Sequence, residues 1–332
     1  MRINTKNLPQ SKENLLPFLI EYFSGKNVAI VKEASGYVDI NLSDPSSDDY
    51  YIDPQIMEGI RWWDKETTIK QIPDLFRNYS KYQLSLNDNW TLYSWSLWLE
   101  QKISDGNFPE EIVILHIDDH RDCMCPLLFK TDDIVVNPLN DEEVSLFKSD
   151  SIKRAIESGA ISIGSFMTLF LHSMPRVQLR HLMPEYRIET ARSGQIICDV
   201  VSDNILANDQ KRLQLNFSSN DFNSHIEYLP FTEINSFLDN ISDKAAILLH
   251  VDMDYFNNRF DGDSDWRSHK FIHDPTADEV YKNVEDTFSA ILRHEISQKI
   301  EDYTIALSPG FFPVEFWQGS VSIINNLLSK TP

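Results

Sequence analysis

Two near-continuous apolar runs constrain this chain most: Ile112 to Ile117 and Ala245 to Val251, each broken by a single histidine, His116 and His250. They are too short for helices and show no alternation. This pattern predicts strands buried on both faces, as in a parallel sheet covered by helices. Each run ends in side chains of one chemical kind. Asp118, His120 and Asp122 follow the first, and Asp252 and Asp254 close the second.

An extended chain points residues i, i+2 and i+4 the same way. Asp118, His120 and Asp122 can therefore face one site, as can Asp252 and Asp254. In an open α/β sheet, sites form outside the carboxyl ends of the strands, where both sets lie. Four converging carboxylates without counter-charge repel, which demands cations or raised pKa values. A mixed oxygen and imidazole set suits Mn²⁺, with Zn²⁺ or Fe²⁺ as alternatives. Two cations sharing carboxylates acidify a water, which supplies a nucleophile for a trigonal carbon.

The remaining pattern predicts helices over residues 13–23, 90–103, 152–158, 231–238, 277–300 and 314–328. Strands are expected at 27–32, 196–201, 213–217 and 303–307. Residues 161–171 read as a strand passing into a helix, and 36–53 as a turn-rich loop. Asp88 or Asn89 is the expected N-cap of the Trp90 helix. Trp62 and Trp63 read as core residues. The expected architecture is α/β: a three-layer α/β/α arrangement around a mostly parallel sheet. Residues 1–80 form an N-terminal extension or subdomain, and residues 81–332 the main compact unit.

With 332 residues, 42% of them hydrophobic, the chain can bury a large core. Its formal charge of −21 argues against nucleic acid and anionic membranes as partners and favours cationic ones. Three cysteines make no disulfide framework. No stretch has the apolar core of a signal peptide or the roughly 20 apolar residues of a membrane helix. A cytoplasmic protein is expected.

The motifs Leu115-His-Ile-Asp-Asp-His-Arg-Asp122, Ile163-Gly-Ser-Phe166, His250-Val-Asp-Met-Asp-Tyr-Phe256 and Ala306-Leu-Ser-Pro-Gly-Phe-Phe-Pro-Val-Glu315 resemble those of the arginase/deacetylase superfamily. Within it they look most like the family that contains peptide arginases, over residues from about 85 to 330. The resemblance implies a binuclear manganese hydrolase. Such an enzyme converts arginine side chains of ribosomally made precursor peptides to ornithine, with release of urea. It further implies that Asp118 and Asp252 bridge two Mn²⁺ ions. His120 and Asp254 would complete one ion, and Asp122 would bind the other. Asp254 would take the proton, with His172 as a candidate shuttle. Glu315 would pair with the guanidinium, beside Ser308 in the substrate loop. His116 and His250 would orient ligating carboxylates. The chain departs from the family at one point. No histidine precedes His116, and Leu86-Asn-Asp-Asn-Trp90 occupies the region of the early histidine ligand. Asp88, Asn89 or a water could serve instead.

Two other functions fit the same residues: a mononuclear zinc amidohydrolase acting on acylated amines, and a non-catalytic peptide-binding protein of the same fold. Three further patterns carry less. His250-Val-Asp-Met-Asp-Tyr-Phe256 resembles the opening motif of lesion-bypass polymerases but lies late in an acidic chain. Phe260-Asp-Gly-Asp-Ser-Asp-Trp266 lacks the closing glutamate of a calcium loop. Cys123-Met-Cys125 is too short for a C-x-x-C pair.

Overall fold

The computed structural model describes residues 1–43, 52–132, 134–190, 192–218, 224–263 and 265–330. In chain order the elements are β1 (Arg2–Asn4), α1 (Lys12–Tyr22), β2 (Asn27–Ala34), β3 (Tyr37–Ser43), α2 (Ile56–Trp63), β4 (Phe76–Asn78), β5 (Gln83–Ser85), α3 (Trp90–Ser104), β6 (Ile112–Ile117), β7 (Phe129–Thr131), β8 (Ile134–Asn137), β9 (Glu142–Glu143), α4 (Ser149–Glu157), α5 (Phe166–Ser173), β10 (Val177–Leu182), β11 (Gly194–Asp203), β12 (Gln210–Ser218), β13 (Ile226–Phe231), α6 (Ile234–Leu238), β14 (Ala246–Asp252), α7 (Ala277–Arg293), β15 (Ile300–Ala306) and α8 (Trp317–Ser329).

Twelve strands form one sheet, in the order β4-β5-β15-β14-β6-β10-β13-β11-β12-β7-β8-β9. The run from β5 to β13 is parallel. The pairings beyond it on either flank are antiparallel. The expected mostly parallel sheet is therefore corrected to a mixed one. Burial gives the physical reason. Every residue of β6 and β14 is buried, as two-sided covering requires. Along β11 and β12, buried positions are interspersed with exposed ones, and such strands pair through antiparallel hairpins.

Alternate residues of β6 feed different cores. Val113, Leu115 and Ile117 pack with α7 and α8, whereas Ile112 and Ile114 pack with α3 and α5. Helix α7 follows from its sequence: Val280, Val284, Phe288 and Ile291 fall on one buried stripe, and Thr276 with Glu279 forms a capping box. It ends at Arg293, short of the expected residue 300, because a 3₁₀ turn and then β15 take over. Residues 161–165 form turns before α5 rather than a strand. Part of the expected 36–53 loop is β3, and residues 44–51 lie outside the described residues. Trp63 is buried and Trp62 packs against the same core, as expected.

The first 43 residues build a separate antiparallel sheet, β1-β3-β2. Its core includes α1 and reaches Leu127 and Phe129 of the main body. The approach is close at one point. A Cβ on Gly25 would lie 2.3 Å from the Gly159 carbonyl oxygen, which only glycine avoids. No helix among the described residues is long and apolar enough to cross a membrane. Cys123, Cys125 and Cys198 are free thiols.

Candidate metal centre

Five neighbouring parallel strands bring their carboxyl ends to one edge. The loop after β6 carries Asp118, His120 and Asp122, bending at 118–120 instead of continuing the extended chain expected there. β14 ends in Asp252, with Asp254 on the 3₁₀ turn Met253–Tyr255 that follows. Beyond β15 lies Ser308, beyond β5 lie Asn87 and Asp88, and beyond β10 lie Tyr186 and Arg187. Asp88, His120, Asp122, Asp252, Asp254 and Ser308 line one cavity of about 610 Å³. Of the predicted carboxylates, Asp122, Asp252 and Asp254 line this cavity with His120, and Asp88 joins them. Asp118 is absent from the wall, but its carboxylate lies within ligand-sharing reach of His120 and Asp254. Asn89 turns away and donates through Nδ2 to the Ile161 carbonyl at 3.1 Å. Neither residue caps α3 through its side chain.

The backbone aims these groups. Asp118 Oδ1 accepts from the His120 amide at 2.5 Å, and Asp252 Oδ1 from the Asp254 amide at 3.1 Å. The Asp119 amide donates to Asp254 Oδ1 at 3.2 Å, tying the two motifs together. His120 Nδ1 and Asp254 Oδ2 are 3.0 Å apart. Ser308 donates its hydroxyl to Asp252 Oδ2. Asp122 and Ser308 adopt φ values of 53° and 43°. That left-handed conformation is costly for serine and is tolerated where surrounding structure enforces it.

The cluster has an unanswered charge. Asp88 Oδ1, Asp118 Oδ2 and Asp122 Oδ2 are buried without a hydrogen-bond partner. Burial first, and neighbouring carboxylates second, push Asp88, Asp118 and Asp252 well above the usual carboxylate range. Burial pushes Asp122 up to about 6. Burial opposes charge on His120, but Asp254 and Asp261 hold its imidazole up to about 12. Buried carboxylates without donors must be protonated or meet a cation. Grouped by ligand-atom proximity, His116 with Asp118, Asp122 and His250, and Asp118 with His120 and Asp254, can each hold a metal ion.

Beneath the carboxylates lies a row of histidines. His250, His116 and His181 occupy the same register on β14, β6 and β10. All three are buried, and burial holds their imidazoles below the usual range, His250 and His181 down to about 3. His250 Nδ1 meets the Thr91 hydroxyl at 2.9 Å, and Nε2 lies 3.5 Å from Asp118 Oδ2. If Thr91 donates to Nδ1, the proton is on Nε2, facing that carboxylate. His181 Nε2 lies 3.0 Å from the Asp118 carbonyl oxygen.

An outer ring of charge supports His120. Asp119 accepts from the guanidinium of Arg187, from the Tyr186 hydroxyl and from Asn258 Nδ2. Arg187 and Asn258 also reach Asp261, whose Oδ1 is 3.4 Å from His120 Nε2. Sequence reasoning missed Tyr186, Arg187 and Asn258. The available signal was Asp119 itself, a second carboxylate inside the first motif that needed a counter-charge.

Two expected participants lie elsewhere. His172, near the end of α5, meets the Gln214 carbonyl through Nε2 at 2.9 Å and is absent from the cavity wall. Its position on an apolar helix makes it a packing residue with one backbone partner. Glu315 is also outside that wall. It accepts from Arg259 Nη2 at 2.8 Å and from Gln55 Nε2 at 3.3 Å, so pairing with a substrate would require that ion pair to open.

The chain matches no family model and no curated protein.

Proposed function

We propose that the chain is a metal-dependent hydrolase of the arginase/deacetylase type, with that superfamily's three-layer arrangement around its parallel strands. Its substrate would be arginine within a peptide, converted to ornithine with release of urea. The carrying observation is the cavity in which Asp88, His120, Asp122, Asp252 and Asp254 meet over buried carboxylate oxygens that no protein group satisfies. Asp88, Asp118, Asp122 and Asp252 would hold one cation, and Asp118, His120, Asp252 and Asp254 another. Mn²⁺ suits this oxygen-rich set, with Zn²⁺ and Fe²⁺ as alternatives. Bound there, the cations supply Lewis acidity and an acidified water.

The chain's own residues do the rest. The acidic floor attracts a guanidinium. Ile163, Phe217 and Phe311 in the cavity wall exclude water beside it. Ser308 and the Asp254 amide orient Asp252, and the Asp119 amide orients Asp254. Asp254 is the proton acceptor when water adds to the guanidinium carbon. The bond from that carbon to the substrate Nε then breaks, and Nε gains a proton. The acidic surface suits a cationic peptide and no nucleic acid, in a cytoplasmic setting.

Incubation with Mn²⁺ and an arginine-containing peptide should remove one cyanamide mass per arginine and release equimolar urea. An unchanged mass with Mn²⁺, Zn²⁺ and Fe²⁺ alike would sink the proposal. One zinc per chain, with hydrolysis of acylated amines, would favour deacetylase chemistry instead.

A further inference from the structure

The cavity over the carboxylates has a neighbour. A second cavity of about 270 Å³ opens beside it, and Ser24, Asn87, Ile163, Pro309 and Phe311 line both. Part of its wall is the turn between α1 and β2, contributed by the N-terminal sheet. That turn is anchored: Ser24 Oγ is 3.0 Å from Ser162 Oγ, and Gly25 packs backbone to backbone on Gly159.

The two chambers differ in chemistry. The first contains Asp88, Asp122, Asp252 and Asp254, whereas the second contains no aspartate and one residue of each charge, Lys26 and Glu157. Ile20, Ile52, Ile156 and Ile161 face the second instead. A free amino acid needs only the first chamber. A neighbouring chamber that shares five wall residues with it, lined by these isoleucines and with its Lys26 ammonium occupied by the Glu157 carbonyl, fits a longer ligand with an apolar side chain. Asn87 belongs to both walls, and its amide makes no hydrogen bond among the described residues. A carboxamide at such a junction offers two N–H donors and an acceptor oxygen to a passing main chain.

We infer that the two chambers form a groove for an extended peptide and that the second is a side-chain subsite for an apolar residue two positions from the arginine. This inference rests on the peptide-arginine reading. In an extended chain, residues i and i+2 point the same way, about 7 Å apart, while adjacent residues point oppositely. The subsite therefore belongs to the second neighbour. The N-terminal sheet then contributes directly to substrate choice, through Ile20 and the Ser24 turn.

The test uses the full chain loaded with Mn²⁺ and acetylated, amidated Gly-Gly-Arg-Gly-Gly peptides. Leu or Asp replaces one glycine at a time. Binding is read by calorimetry, and urea release separately. Leu at one of the two outer positions should bind at least about tenfold tighter than Asp there, the scale on which an apolar pocket discriminates between side chains. The same exchange beside the arginine should matter less. Ile20→Asp should collapse the outer-position preference; Ile20 is half exposed on α1, so folding tolerates the change. Asn87→Ala should weaken every peptide more than it weakens free arginine. Affinities indifferent to the outer residues, or free arginine bound as tightly as the peptides, would overturn the groove. Peptides bound with the expected pattern but yielding no urea would overturn the hydrolase reading and uphold the groove.

Discussion

His120 Nδ1 lies 3.0 Å from Asp254 Oδ2, while Nε2 of the same ring faces Asp261 Oδ1 at 3.4 Å. The inner contact joins the two sequence motifs. The outer one fixes the ring, because Asp261 is itself held by Arg187 and Asn258. A ligating imidazole held in this way by an outer carboxylate has a defined tautomer and greater basicity. Asp261→Ala should weaken divalent-metal binding by roughly 10- to 100-fold in calorimetric titration, with Asp261→Asn in between. Unchanged affinity would remove Asp261 from this role.

Asp88 gives a sharper test of the metal count. Its Oδ1 is buried without a partner, and it lines the cavity beside Asp122, Asp252 and Asp254. Asp88→Ala should reduce two bound cations per chain to one by elemental analysis, and Asp88→His should restore the second. Two cations retained in the alanine variant would show that Asp88 is not a ligand.

The pH dependence of stability should change sign with metal. Without metal, burial and mutual repulsion raise Asp88, Asp118 and Asp252 above their unfolded values, and Asp122 to about 6. The native chain then binds protons that the unfolded chain has released. Stability is therefore lost as pH rises from about 4, the unfolded carboxylate value, through the raised native values. Cations bind the deprotonated ligands, so excess Mn²⁺ reverses the trend. The melting temperature in chelator should be higher at pH 7 than at pH 8.5, and in Mn²⁺ it should be higher at pH 8.5. That window lies above the unfolded histidine value, so the neutral buried imidazoles of His116, His181 and His250 add no slope. The same order in both conditions would contradict a cation at this cluster.

Away from the site, Asp302 on β15 accepts from the Ser94 hydroxyl at 3.1 Å through one oxygen and leaves the other unpartnered. Burial pushes it up to about 6. Its ionisation destabilises the fold progressively as pH rises from the unfolded value towards 6, and fully above that. Asp302→Asn keeps an acceptor for Ser94 and removes the charge. It should stabilise the chain at pH 7.5 by on the order of 1 kcal/mol in urea denaturation, with no gain at pH 4. A loss at pH 7.5 would show that the carboxylate has a cationic partner in solution.

The sheet's centre was legible because its strands are apolar throughout. β6 and β14 could be read from their residues alone, and the candidate site residues from their position just past the strand ends. The extended i, i+2 geometry expected for them is replaced by bends at 118–120, a left-handed Asp122 and a 3₁₀ turn at Met253–Tyr255. β5 and β10 escaped the same reading. Gln83 and Ser85 in the one, and Gln178, Arg180 and His181 in the other, interrupt any apolar run. All but the half-buried Gln178 are buried, because distant groups satisfy them. Arg180 donates to the carbonyls of Ser236, Phe237 and Asp239 at the end of α6, and His181 reaches Tyr228 and the Asp118 carbonyl. No local pattern reveals such partners.

The sequence by itself determined the two central strands, the ligand types at their ends and the absence of an early histidine. Tertiary structure decided which residue of the 86–90 segment reaches the cavity. Asn89 is committed to the Ile161 carbonyl, while the carboxyl end of β5 carries Asp88 into the cavity. It also decided that Glu315 meets Arg259 and that Arg187 guards Asp119. Hydrophobic period and ligand spacing are short-range properties of a chain. Which buried polar group finds which partner depends on strands remote in sequence, and only the assembled sheet brings those together.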